Sequence, residues 1–105
     1  MSVEIVNDDT FKEVLESNDS VIVKYYADWC GSCKLFAPKF RRLSNSEEYA
    51  NIKFIDVNAE NNEVARKIAG VDNLPFFAVF KDGEKVDGSP TSKEEVVREL
   101  LKKLN

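Results

Sequence analysis

The sequence predicts an α/β domain, and three observations carry the prediction. Apolar periodicity switches between strand-like and helix-like stretches along the chain. One strand-like run, residues 21–27, is apolar almost without interruption, as in a strand covered on both faces. Later, two strand-like runs are joined by Asp82-Gly83, a strong hairpin signal, and are followed by an amphipathic helix. With 105 residues, 43% of them hydrophobic and 32% charged, the chain suits a single domain over residues 1–105 with one modest core. No repeat, low-complexity segment or linker divides it.

Val3 to Val6 reads as a short first strand. Asp8 or Asp9 then caps a helix running to about Ser17, with Phe11, Val14 and Leu15 on one face. Val21-Ile-Val-Lys-Tyr-Tyr-Ala27, rich in β-branched and aromatic residues, is a central strand. A long helix follows from about Cys33 to near Glu48, with Pro38 inside it as a source of a kink. Ile52 to Val57 is the third strand, and Asn61 or Asn62 starts a short helix ending at Gly70. Phe76–Phe80, the Asp82-Gly83 turn and Glu84–Gly88 form the hairpin. Ser92 with Glu95 forms a capping box for the last helix, which carries Val96, Val97, Leu100, Leu101 and Leu104. The order is βαβαβαββα.

The two cysteines of the chain both lie in Trp29-Cys30-Gly31-Ser32-Cys33-Lys34, directly after the central strand. Cys30 and Cys33 can close a disulfide within one turn of chain, and when reduced they sit at a helix start, where unpaired backbone N–H groups favour a thiolate. A strand-to-helix turn at the carboxyl end of a central strand is where open α/β sheets place their sites. Structural zinc needs about four ligands, and this chain has two cysteines and no histidine, so no metal site is expected. The lack of histidine also removes Cys-His and Ser-His-Asp hydrolase chemistry. A purely structural bridge across so short a loop would remove little chain entropy. Thiol–disulfide exchange remains, and it requires no cofactor.

The net charge of −4 comes from interspersed acids and bases, with no basic cluster interleaved with aromatics, which argues against a nucleic-acid partner. The N-terminal segment has neither a basic region nor an apolar stretch, and no apolar run reaches membrane-spanning length. The expectation is a cytoplasmic protein with no membrane association, whose dithiol the compartment keeps reduced.

With Trp29-Cys-Gly-Ser-Cys33 on that turn, Pro38 in the following helix and Leu74-Pro75 ahead of the hairpin, the sequence closely resembles the thioredoxin family over essentially its whole length. The Asp82-Gly83 turn and Gly88 add to the likeness. The resemblance implies the thioredoxin fold, a five-stranded mixed sheet flanked by four helices. It implies a monomer that reduces protein disulfides, draws electrons from a thioredoxin reductase, and so serves electron transport and cell redox homeostasis. Cys30 would be the exposed attacking thiolate and Cys33 the buried resolving thiol. Pro75 would be cis, leaving Leu74 backbone groups to pair with an extended substrate. Trp29, Gly31, Ser32, Leu74 and Gly88 would form the apolar docking rim. Plainer readings stand beside these: Trp29 as a core aromatic, Pro75 as trans, Gly88 serving only the local backbone. The alternative function is a binding module that holds a partner on the Trp29/Leu74 rim, redox-inactive or redox-gated.

Two departures from the family touch the dithiol. Most thioredoxins carry on the second strand a buried Asp thought to move the proton of the resolving thiol; here that residue is Lys24, and Phe54 aligns with the lysine that usually neighbours the Asp. Two readings of Lys24 stand: a third catalytic position that tunes the thiols, or a tolerated lysine whose amine snorkels to the sheet edge. The middle pair of the motif is Gly31-Ser32 where Gly-Pro is usual. Serine adds a backbone N–H and a hydroxyl that can reach a thiolate.

Overall fold

The computed structural model describes residues 2–105. The strands are β1 (Val3–Ile5), β2 (Ser20–Tyr26), β3 (Lys53–Asn58), β4 (Phe76–Lys81) and β5 (Glu84–Pro90). The helices are α1 (Asp8–Ser17), α2 (Gly31–Ser44), α3 (Glu63–Ala69) and α4 (Glu94–Lys102), with a 3-10 turn at Glu47–Tyr49. The order along the chain is the expected one. The sheet runs β1-β3-β2-β4-β5, with β1, β3 and β2 parallel and β4 and β5 antiparallel to their neighbours. β2 is central, as its unbroken apolar run requires.

Alternation along the strands divides the core in two. Val21, Val23, Tyr25, Ile55, Val57, Ala78 and Phe80 face α1 and α3, meeting Phe11, Leu15, Ala65 and Ala69. Ile22, Phe54, Phe77 and Val79 face α2 and α4, meeting Phe36, Phe40, Leu43, Val97, Leu100 and Leu101. Phe77 anchors α2, its ring centroid 4.9 Å from that of Phe36 and 5.7 Å from that of Phe40. Each fully buried ring of this kind contributes about 1.5–3 kcal/mol.

Several boundaries differ from the sequence expectation: α2 starts at Gly31 rather than about Cys33, and β5 runs on to Pro90 rather than Gly88. α2 ends at Ser44 rather than near Glu48. Ser44 Oγ donates to Arg41 O at 2.7 Å and Asn45 N–H turns back to Arg41 O and Arg42 O, so this Ser-Asn-Ser stretch competes with helix propagation. At α4 the N-cap position is Lys93, and Thr91 Oγ1 accepts from Lys93 N–H at 3.0 Å, so Ser92 and Glu95 form no capping box. At α1 the N-cap position is Asn7, with no side-chain cap of its own. Asp8 instead accepts from Val64 N–H at 3.0 Å and Ala65 N–H at 2.8 Å, capping α3. Gly70 ends α3 with φ 68°, a left-handed conformation that glycine adopts without cost. No helix among the described residues is long and apolar enough to cross a membrane.

Candidate active site

β2 ends at Tyr26, and a tight turn closed by Cys30 N–H to Ala27 O (3.1 Å) delivers both cysteines to the start of α2. Cys30 is the N-cap residue and Cys33 lies in the first turn. They are joined by a disulfide with Cα atoms 5.3 Å apart. Cys33 N–H donates to Cys30 Sγ at 3.2 Å, and Ser32 Oγ lies 3.6 Å from the same sulfur. In the disulfide that sulfur carries no proton, so the hydroxyl is the donor. Two donors therefore converge on Cys30, although the backbone donor belongs to Cys33 and not, as the sequence suggested, to Ser32. The expectation of an exposed Cys30 needs correction for the oxidised protein: Cys30 is 4% and Cys33 3% exposed, both packed with Ala27, Tyr26 and Leu74. Donor placement, not exposure, distinguishes the sulfurs here.

Trp29 is 69% exposed, which rules out the core reading, and its indole Nε1 donates to Glu60 Oε2 at 2.6 Å. Glu60, which no sequence motif marks, fixes the ring at a groove of about 330 Å³ bounded by Arg66, Asp72 and Leu74. Leu74 lies on both the groove and the disulfide, and Leu74-Pro75 is cis. Leu74 N–H is held by Asn73 Oδ1 at 2.9 Å. Gly31 and Ser32 are exposed on the first turn of α2. Gly88 is not brought into this rim. It pairs with Ala78 on β4, and a Cβ there would come within 2.9 Å of Phe76 Cε1, so close packing of that ring demands glycine. The residue after β5 that reaches Pro75 is Thr91, whose N–H donates to Pro75 O at 3.1 Å.

Lys24 does not snorkel to the sheet edge: it is 3% exposed in the central strand. Its Nζ lies 3.5 Å from Asp56 Oδ1 and 5.2 Å from the centroid of the Phe40 ring. The parallel register sets Lys24 beside Asp56, whereas Phe54 pairs with Ile22, so the alignment that matched the partner position to Phe54 is overturned. The pair is a reversal of the family's Asp and Lys. Misplacing the neighbour by two residues hid it, since positions 54 and 56 share a face. Burial pushes the Lys24 amine down and the Asp56 carboxyl up, each against the pull of the other. At 3.5 Å the contact is an ion pair rather than a hydrogen bond, and buried Asp56 Oδ1 has no hydrogen-bond partner among the described residues.

The thioredoxin family model matches residues 2–103. A thioredoxin of Aspergillus fumigatus is 48% identical over 79 residues, covering 73% of this chain and 71% of that protein. The crystal structure of spinach chloroplast thioredoxin f is similar with a TM-score of 0.89 and 27% identity, covering 98% of this chain and 93% of that one. The thioredoxin f2 in a complex with ferredoxin:thioredoxin reductase is similar with a TM-score of 0.87 and 29% identity, covering 96% and 93%. The pure binding-module alternative is not favoured, because the matched family acts through a close cysteine pair and the chain has one.

Proposed function

The chain belongs to the thioredoxin family and is a thiol–disulfide oxidoreductase, and on that premise we propose how its residues divide the work. In the reduced protein, Cys30 is the nucleophile, because the Cys33 N–H and the Ser32 hydroxyl both reach its sulfur. Donors to the charged form lower a thiol pKa and raise the thiolate fraction at neutral pH. The Cys30 thiolate attacks one sulfur of a protein disulfide, and the other substrate sulfur leaves as a thiolate. Cys33 then attacks Cys30 Sγ, the second substrate sulfur leaves, and two electrons have passed to the substrate.

Trp29 and Leu74 bracket the groove beside the sulfurs and supply its apolar walls. Leu74 N–H, held locally by Asn73, is the donor that an extended substrate carbonyl takes over. Gly31 and Ser32 lie exposed on the first turn of α2 beside Cys30, and even a Cβ at Gly31 would meet nothing within 4 Å. The chain works as a single domain and a monomer in the cytoplasm, in electron transport and redox homeostasis. Its partners are protein disulfides and a thioredoxin reductase, a class supported by the likeness to a thioredoxin seen bound to one.

The two donors on Cys30 carry this reading. With dithiothreitol as electron source, the protein should accelerate insulin disulfide reduction, and Cys30→Ser should abolish the acceleration. Full activity in Cys30→Ser would overturn it.

A further inference from the structure

A second cleft of about 250 Å³ shares no lining residue with the Trp29 groove, and Cys33, Lys24 and Asp56 line it together. Such a volume accommodates water, and three polar groups give water the partners it needs. Asp56 spans the wall of this cleft. Its Oδ1 is buried without a hydrogen-bond partner, yet its side chain keeps 21% of its surface exposed, so one carboxyl group faces both the cleft and the solvent. We propose that Asp56 is the proton acceptor of the resolving step, taking the Cys33 proton across the cleft and passing it to solvent. This rests on the reaction above, in which Cys33 resolves the mixed disulfide.

The step balances. Cys33 S–H loses its proton to the Asp56 carboxylate, the Cys33 thiolate forms a bond to Cys30 Sγ, and the bond from Cys30 to the substrate sulfur breaks. The departing sulfur takes the electron pair, and the Asp56 proton goes to water. Lys24 supplies the opposite charge that holds Asp56 ionised in this setting, while burial holds its proton affinity above that of an ordinary carboxyl. The other groups facing the carboxylate are Tyr26 on β2, Asp28 in the turn, and Lys34 and Arg41 on α2; its neighbour on β1 is the apolar Ile5. Lys24 is the only one of these in ion-pair contact with Asp56 among the described residues.

The test separates loading from resolution. The reduced protein is treated in acid with one equivalent of dithiobis-nitrobenzoate, which loads Cys30 and releases one thionitrobenzoate. That release reports the Cys30 reading by itself. The mixed disulfide is then jumped to a series of pH values, and the second thionitrobenzoate, expelled by Cys33, is followed by absorbance. Wild type should resolve fast near neutrality. Asp56→Asn should slow the second release at least about tenfold there, the low side of what a positioned general base contributes, and leave only the pH dependence of the Cys33 thiol. Because Asp56→Asn strands a buried amine, Lys24→Met/Asp56→Asn is measured as well, and should be equally slow. Lys24→Met alone keeps the carboxylate but loses the charge that holds it ionised, so its second release should have its pH midpoint moved upward and recover toward the wild-type rate above that midpoint. Second-release rates in the two Asn variants within about twofold of wild type at every pH would overturn the proposal. So would a Lys24→Met that stays as slow as Asp56→Asn at every pH, which would place the effect in the amine.

Discussion

The backbone N–H of Cys33 points at Cys30 Sγ from 3.2 Å, so each cysteine of the pair contributes something different: one a sulfur, the other a donor to that sulfur. The asymmetry comes from helix geometry, since the N-cap side chain of α2 sits where an unpaired first-turn N–H can reach it. It predicts that the reduced protein is alkylated by iodoacetamide at neutral pH mainly on Cys30. Mass mapping that finds Cys33 modified first would contradict it.

Ser32 adds the second donor, through its side chain. A net hydrogen bond to a charged group stabilises by roughly 1.5–3 kcal/mol, and each 1.4 kcal/mol is about 30 mV for a two-electron couple. Stabilising the thiolate favours the dithiol state, so the natural protein should be more oxidising than Ser32→Pro by tens of millivolts at most. Ser32→Ala, which keeps the backbone N–H, should match Ser32→Pro if the hydroxyl is the donor that matters. Glutathione equilibration reads both potentials; equal values for all three proteins would remove Ser32 from the site.

Asp8 and Asn62 cap each other's helices: Asn62 Oδ1 accepts from Asp8 N–H at 2.7 Å while the Asp8 carboxylate caps α3. Asp8→Ala should cost about 1–2 kcal/mol in urea unfolding. Asp8→Ala/Asn62→Ala should cost less than the sum of the single losses, because the two act as one unit. Strict additivity would show that the caps are independent.

The fold and the reactive pair were legible in the sequence because they are written locally. Val21–Ala27 declares a covered strand by composition, Asp82-Gly83 declares a turn, and Cys30 and Cys33 are three residues apart. What could not be read depends on register and on contacts distant along the chain. Asp8 looked like a cap for its own helix and bonds one beginning 55 residues later. Asp56 has no motif to mark it, and only the β2–β3 pairing shows it against Lys24. Glu60 carries no motif at all, and its contact with Trp29 exists because the loop after β3 passes the end of β2. Gly88 was read as part of the rim, but its requirement is set by the Phe76 ring on the neighbouring strand.

That packing makes Gly88→Ala a sharp test. The added methyl would meet Phe76 Cε1 at 2.9 Å, and overpacking of this kind costs about 1–3 kcal/mol. Phe76 follows Pro75, so the strain should reach the groove and raise the KM for insulin. An unchanged urea midpoint would show that the ring moves aside freely.

The Lys24–Asp56 pair gives stability a defined pH signature. The folded Asp56 carboxyl lies above its ordinary 3.8, so the folded state binds more protons there and stability falls as pH rises from 3.8 through the folded value. The folded Lys24 amine lies below its ordinary 10.5, so the unfolded state binds more protons and stability rises with pH from the folded value up to 10.5. Lys24→Met removes the alkaline rise but leaves the Asp56 carboxylate without its cation, so it should destabilise near neutrality, whereas Lys24→Met/Asp56→Asn, which removes both charges, should change stability little there. Urea midpoints for wild type and Lys24→Met that run parallel from neutral pH to 10.5 would contradict the lowered amine.

The central claim, that Cys30 attacks and Cys33 resolves, is tested most directly by trapping the intermediate. Each single serine variant is reduced and mixed with a protein substrate carrying one disulfide, and the products are separated without reducing agent. Cys33→Ser should accumulate a covalent complex in which mass mapping finds Cys30 joined to a substrate cysteine, because nothing remains to break the bond. Cys30→Ser should accumulate none. A complex formed through Cys33 in the Cys30→Ser protein, with none on Cys30 in Cys33→Ser, would contradict the assignment.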